Sequence, residues 1–420
     1  MKNNKLNYLI LVLMLLTLIG FSLNTLDYKI TLILTSILSL ISLFLIKEKK
    51  CNHKFYFLPF AFLFTPVFIS VIMGDTSGKY LEKDFYLIIA TLSIFSLQQL
   101  KIKKTTCIYV LGIFIILCFS IFNYYLHLGI TRPKIGISSI TYTGIIAAIS
   151  AIFASFYLFE KNKKMALFIA IIILMSYQVV LFGQSRGSFL SFVPTLLLII
   201  AALFYNKNKL LTISTISLMV IITLNSPITD RFNVAKNEVS KSISVVESVN
   251  IIKKEPTVTI KKTIKEDSSI TNEKTAHQLQ NNGSIGTRFG LWVTAFEMGS
   301  SSPIFGIGYS NYQQYLLHNP LSKWINSYNH FHNEYLQMYA YYGLCGVLFL
   351  TLFYFYFTKA FYHIRKENLS IAFAGTSLIT SYFISGLTDV PLTTFGAKTI
   401  LVICYILLMS IDNKSVEQNS

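Results

Sequence analysis

The sequence predicts an all-α polytopic membrane protein with about 12 transmembrane helices and one large, partly helical outer loop before the last three. Three observations carry this. Of 420 residues, 53% are hydrophobic and 13% charged, with a mean hydropathy of +0.56, which excludes an ordinary soluble domain. Apolar runs near the ~20 residues that a spanning helix needs recur along the whole chain. The short connections between them are alternately rich and poor in lysine and arginine, as in a chain that crosses a bilayer repeatedly.

Twelve runs qualify, over 7–23, 28–46, 55–73, 85–99, 105–122, 138–159, 165–182, 188–205, 210–226, 343–359, 370–387 and 395–411. The first follows Lys2 and Lys5 as a signal peptide would. No small-residue cleavage site comes after it and another span follows at once, so it is expected to be retained. The basic connections carry Lys47, Lys49, Lys50 and Lys54, then Lys101, Lys103 and Lys104, then Lys161, Lys163 and Lys164, then Lys207 and Lys209, then Lys359, Arg365 and Lys366. With Lys2, Lys5 and Lys414 they place 18 cationic residues on one side, against seven on the other. The richer side is therefore expected to be cytoplasmic, with both termini inside. The net charge of +17 needs no nucleic acid; topology and attraction to anionic lipid account for most of it. Cys51, Cys107, Cys118, Cys345 and Cys404 show neither a disulfide framework nor metal-ligand spacing.

The first nine spans occupy 1–226. Their outer connections hold Lys79 and Lys83, then Arg132. Such charges are usually solvated surface; the functional reading has them attract an anionic substrate. Gly183-Gln-Ser-Arg-Gly-Ser188 sits between two apolar runs on the outer side. Arg186, flanked by small residues, suits phosphate oxygens through its fork of donors. A turn arginine reaching to lipid headgroups is equally compatible with the local sequence.

The loop covers 227–342. Its part over 236–283, rich in Lys, Ser, Thr, Asn and Glu, lacks the apolar residues for a core and is expected to be a flexible insertion. From 284 to 342 the composition changes to that of a partly helical segment, expected to be the catalytic part of the loop. A short helix is expected over 287–299, with Ser284 or Thr287 as its cap and Arg288 in its first turn. A cation there points to an anion held between the helix start and the guanidinium. Gly306 and Gly308 resemble a phosphate-binding turn, without the strand–helix unit of a dinucleotide fold. A further short helix is expected over 311–318.

The stretch 328–346 packs His330, His332, Glu334 and five tyrosines against the mouth of a span. Ionisable groups at membrane depth are costly and usually mark a site. A helix is expected to begin at His332. The tyrosines read as interface-belt or packing residues. Near the end, Asp389 stands beside Pro391 on the outer side, where it either caps a span or orients a histidine or arginine of the site. The last three spans and a short cytoplasmic tail occupy 343–420.

At these residues the chain resembles the O-antigen ligases, within the larger O-antigen ligase/polymerase superfamily. The resemblance rests on Gln184-Ser-Arg-Gly187, on Thr287-Arg-Phe-Gly-Leu-Trp292 with Pro303-Ile-Phe-Gly-Ile-Gly308, on His332-Asn333 followed by Gly343-Leu-Cys-Gly346, and on Gly386-Leu-Thr-Asp389. It implies a glycosyltransferase at the periplasmic face of a Gram-negative inner membrane. The donor would be O-polysaccharide on undecaprenyl pyrophosphate and the acceptor lipid A–core, with no cofactor, nucleotide sugar or ATP. The segment 236–283 has no counterpart in the pattern.

Breaking the glycosidic bond charges the pyrophosphate leaving group. Arg186 and Arg288 are the expected stabilising cations, and their permanent charge makes a metal dispensable. His332 is the expected base for the acceptor hydroxyl, with Glu334 a weaker alternative and Asp389 an orienting group. Weaker substrate-binding candidates are Arg132, Lys79, Lys83, His330, Glu334 and Asn333. With no carboxylate clearly placed as a nucleophile, a single inverting displacement is expected. Two alternatives stand beside this reading. An O-antigen polymerase of the same superfamily would use the same donor. A lipid-linked sugar transporter would suit twelve spans, but transporters are commonly built on internal repeats, and none is evident here.

Overall fold

The computed structural model describes residues 2–23, 28–45, 54–72, 78–100, 102–130, 138–206, 208–228, 230–234, 236–238, 283–309, 311–312, 315 and 330–412. Eleven helices precede the loop: α1 (Lys2–Leu23), α2 (Tyr28–Leu45), α3 (Lys54–Ile72), α4 (Gly78–Thr91), α5 (Ser93–Gln99), α6 (Lys104–His127), α7 (Ser139–Leu158), α8 (Lys163–Phe182), α9 (Arg186–Ser191), α10 (Val193–Tyr205) and α11 (Lys209–Leu224). Helix α12 (Gly283–Ser301) lies in the loop, and α13 (Glu334–Ile364), α14 (Leu369–Gly386) and α15 (Phe395–Met409) follow. No strand occurs among the described residues; one isolated parallel bridge joins Ile102 to Ile411.

All twelve expected runs fall on helices, and the chain is an all-α polytopic membrane protein. Among the described residues seven segments are long and apolar enough to cross a membrane, and Lys29–Ser42, Lys209–Leu224 and Phe395–Met409 are shorter apolar helices. Two runs expected as continuous are broken. That over 85–99 divides at Leu92, where the Thr91 and Ser93 hydroxyls bond back to the carbonyls of Ile88 and Ala90, both at 2.6 Å; such back-bonding bends helices. That over 188–205 divides at Phe192, because Pro194 lacks an N–H and begins a new helix instead.

Helix α7 is the central strut. Nearly all of it is buried, against α8, α10 and α14. Its small residues Gly144, Ala147, Ala148, Ala151 and Ala154 let neighbouring helices approach closely, and hydroxyl pairs then join the helices where water is absent. Thr143 meets Ser188 at 2.7 Å, Ser150 meets Thr195 at 2.8 Å and Ser155 meets Ser377 at 3.0 Å. Apolar residues such as Leu197, Phe204, Leu210 and Leu224 remain exposed on α10 and α11, as lipid-facing residues do.

Gly343 divides α13. Its backbone (φ 61°, ψ −153°) is not helical, so the ladder of hydrogen bonds is interrupted and its groups need other partners. Residues 303–308 supply them. Ile307 and Gly308 donate to the carbonyls of Ala340 (3.1 Å) and Tyr341 (3.0 Å), while Leu344 and Cys345 donate to Pro303 (2.8 Å) and Ile304 (3.1 Å). Gly306 is at φ 70°, and a side chain there would strike the Tyr341 backbone. The expectation of a phosphate-binding turn at Gly306 and Gly308 is therefore corrected: the N–H groups of 307 and 308 are spent on α13.

Lys103, Lys104, Lys163 and Lys164, at the starts of α6 and α8, lie at the pole opposite α13's first turn. There Lys104 pairs with Glu160 at 3.4 Å, lies 5.2 Å above the Phe156 ring, and is joined by the Ile102–Ile411 bridge.

Candidate active site

The other pole collects the first turns of α7, α9, α13 and α15 and the last turn of α14. His332 stands just before α13, in the left-handed region at φ 52°. Gln184, two residues before Arg186, is at φ 53°. These are the two non-glycine residues with positive φ among the described ones. Such conformations are costly and cluster at functional sites.

Three side chains hold the His332 loop. Asn333 caps α13 by accepting the Leu336 N–H at 3.0 Å, and its amide donates to the Leu387 carbonyl at 3.3 Å. Gln337 accepts the Phe331 N–H at 3.2 Å and donates to Thr393 at 3.0 Å. Glu334, fully buried, accepts the Leu392 N–H at 2.8 Å; its Oε1 makes no hydrogen bond, and Lys398 of α15 lies within electrostatic reach of it. The helix expected to begin at His332 thus begins at Glu334, which frees His332 from the helical ladder.

Within this frame His332 Nδ1 lies 3.7 Å from Asp389 Oδ1. Asp389 is 2% exposed, and its Oδ2 accepts the Thr141 hydroxyl at 2.8 Å. Burial pushes the Asp389 carboxyl up, but the His332 contact, the charges of both imidazoles and the Thr141 hydroxyl together hold it below the usual range. The His330 ring stands edge-on to His332, with centroids 4.1 Å apart. Its Nδ1 accepts the His332 N–H at 3.3 Å. Burial, His332 and Arg288 outweigh Asp389 and lower the His330 pKa to about 4, so it is neutral near pH 7. Arg288 is thereby placed within electrostatic reach of the pair.

The origin of Arg288's position differs from the expectation. Helix α12 starts at Gly283, so Ser284 and Thr287 lie inside it and Arg288 is beyond the first turn. The N–H of Ile285 in that turn instead donates to Glu238 Oε2 at 3.2 Å. The same oxygen lies 3.7 Å from Arg186 Nη2. Arg186 is largely covered, with 19% side-chain exposure, and its Nη1 makes no hydrogen bond. Arg231 donates to Gln184 Oε1 at 3.1 Å and so joins this group. The next residue, Gly187, packs against the Thr388 side chain, beside Asp389. The four principal candidates are therefore connected: Arg288 acts on His330, His330 abuts His332, His332 faces Asp389, and the Gly187–Thr388 contact leads to Arg186.

Arg132 lies outside the described residues, as do the side chains of Lys79 and Lys83, residues 239–282 of the expected insertion and most of the short helix expected over 311–318. Thr141, Arg231, Glu238, Gln337 and Lys398 were not legible as site residues. None sits in a motif, and each acquires its place through a partner distant in the chain. His330, His332 and Asp389 also bring one donor atom each within 4.8 Å of one another, close enough to ligate a cation; the nearby Arg288 charge opposes one.

Fold and site together define a polytopic membrane protein with a polar, cationic site at one end of its helices. A family model described as O-antigen ligase matches residues 170–351, the segment that carries Arg186, Arg288 and His332. The match bears out the resemblance read from the sequence and supports the O-antigen ligase/polymerase superfamily, whose members are glycosyltransferase-like. An uncharacterized protein of Haemophilus influenzae (strain Rd) is 24% identical over 339 residues, covering 77% of this chain and 74% of that protein.

Proposed function

We propose that the protein transfers O-antigen polysaccharide from undecaprenyl pyrophosphate to lipid A–core at the periplasmic face of the inner membrane, by a metal-independent inverting displacement. The observation that carries this is the His332–Asp389 pair, 3.7 Å apart, set beside Arg288 at the mouth of the α13 span. Lysine-rich ends at the opposite pole support an outward-facing site and cytoplasmic termini.

The chemistry assigns one role to each group. Asp389 Oδ1, facing His332 Nδ1 across 3.7 Å, orients the ring and leaves Nε2 to act as the base. The acceptor hydroxyl oxygen forms the new bond to the anomeric carbon, and its proton passes to Nε2. The bond from that carbon to the pyrophosphate oxygen breaks, and undecaprenyl pyrophosphate leaves with the electron pair. Arg288 and Arg186 stabilise the charge that develops there. The Arg186 guanidinium already holds a carboxylate oxygen, Glu238 Oε2, which a phosphate oxygen would replace.

The test is transfer by purified protein supplied with undecaprenyl-pyrophosphate-linked O-polysaccharide and lipid A–core, with EDTA and without ATP. Laddered lipopolysaccharide from wild type and none from His332→Ala supports the reading. Lengthened polyprenyl-linked chains in place of a ladder would make the protein a polymerase. Neither product from folded protein would favour the transporter.

A further inference from the structure

We infer that Thr141 is a positioning residue that fixes the Asp389 carboxylate toward His332, with Ser138 completing the chain; the inference rests on the glycosyl-transfer reading of this site. Thr141 stands in the first turn of α7 and is 5% exposed. Its hydroxyl donates to Asp389 Oδ2 at 2.8 Å. Ser138 Oγ lies 2.8 Å from Thr141 Oγ1 and accepts the Thr141 N–H at 3.2 Å as the cap of α7.

The direction of the chain follows from proton counting. An ionised carboxylate only accepts, so the single hydroxyl proton of Thr141 is committed to Asp389. The bond between the two hydroxyls must then be donated by Ser138. The order is Ser138 to Thr141 to Asp389, and the other carboxylate oxygen, Oδ1, faces His332 Nδ1. Hydrogen bonds to a charged acceptor are short, strong and directional. This one anchors Asp389 to α7, which is buried along nearly its whole length, while the backbone of Asp389 is held by its own N–H to the Ser385 carbonyl at 2.9 Å. Two attachments leave the side chain one direction in which to present Oδ1. Among the described residues, Arg288, His330 and Glu334 are the other charged or titratable groups that act on the pair or its neighbours, and none is placed by Thr141.

Outer partners that orient a working histidine are a recurrent device, and their loss lowers function by ~10–100-fold at metal-bound histidines. Thr141→Val keeps the shape and removes the donor; Thr141→Ser restores it. The experiment measures kcat and donor KM of detergent-purified full-length protein in the transfer assay, for wild type, Thr141→Val, Thr141→Ser, Asp389→Asn and Asp389→Asn combined with Thr141→Val. The expected result is a kcat lower by about tenfold for Thr141→Val with donor KM unchanged, recovery in Thr141→Ser, and no further loss when Thr141→Val is added to Asp389→Asn.

Full activity in Thr141→Val overturns the inference. So does a loss that Thr141→Ser fails to recover, or one that adds in full to that of Asp389→Asn, since either marks a structural role. If Thr141→Val does not fold, the serine variant and Ser138→Ala decide: normal kcat in Ser138→Ala removes the chain beyond Thr141, and poor kcat in Thr141→Ser removes Thr141 itself. Absence of transfer in wild type would instead refute the underlying glycosyl-transfer reading.

Discussion

His332 Nδ1 faces Asp389 Oδ1 across 3.7 Å, although the two residues stand in separate connections, before the first turn of α13 and after the last turn of α14. A base needs an orienting partner as well as a suitable ring. His332→Ala should lower transfer by ~10²–10⁴-fold, the usual worth of a general base, and leave donor binding intact. Single-turnover transfer beside equilibrium binding of the lipid-linked donor checks this; lost binding with residual turnover would make His332 a binding residue.

Arg288 acts through charge and fork geometry together. Arg288→Ala should reduce transfer by ~10²–10³-fold, and Arg288→Lys should rescue it poorly because an ammonium cannot reproduce the planar fork. Initial rates of ladder formation for both variants decide the matter. Wild-type rates in Arg288→Ala would end its role as a stabilising cation.

The site should make the protein acid-sensitive in two windows. His330, with its pKa lowered from 6.5 to about 4, binds fewer protons folded than unfolded between those values. Stability therefore falls as pH drops from 6.5 towards 4. Asp389, held below 3.8, contributes stability above that value and loses it as pH falls through its lowered pKa. Thermal unfolding of detergent-purified protein from pH 7 to 4 should show a shallower decline for His330→Gln than for wild type. Parallel curves would contradict the assigned burial of His330.

Gly343 carries a different kind of constraint. At φ 61° an alanine is strained, and its Cβ would meet the Ile304 backbone. Gly343→Ala should cost ~1–3 kcal/mol from backbone strain, plus the displacement of residues 303–308. The thermal midpoint should drop, and transfer should fall with it because the His332 loop stands on the same helix. An unchanged midpoint would show that the kink is tolerant.

The helices were legible because membrane burial writes itself locally. Runs of apolar residues and lysines at alternate ends are each readable over ~20 residues. The breaks at Leu92 and Phe192 were less so, since they depend on which hydroxyls bond backward and on where Pro194 falls in the helical register. The loop glycines misled for a related reason. A G-x-G looks alike whether its N–H groups meet a phosphate or the carbonyls of a broken helix, and Ala340 and Tyr341 decide that from more than thirty residues away.

For the site, the sequence by itself determined which chemical groups were present: two arginines, a histidine and an acid, at span ends or in the loop, in a chain whose apolar runs oblige it to fold as helices. Tertiary structure alone decided how those groups meet. Asp389 faces His332 because α7 offers Thr141 and α14 ends beside α13. Arg186 meets Glu238 because α9 and α12 share one pole. Local sequence encodes helix propensity and burial, whereas distances between groups on different helices follow from packing that no single stretch contains.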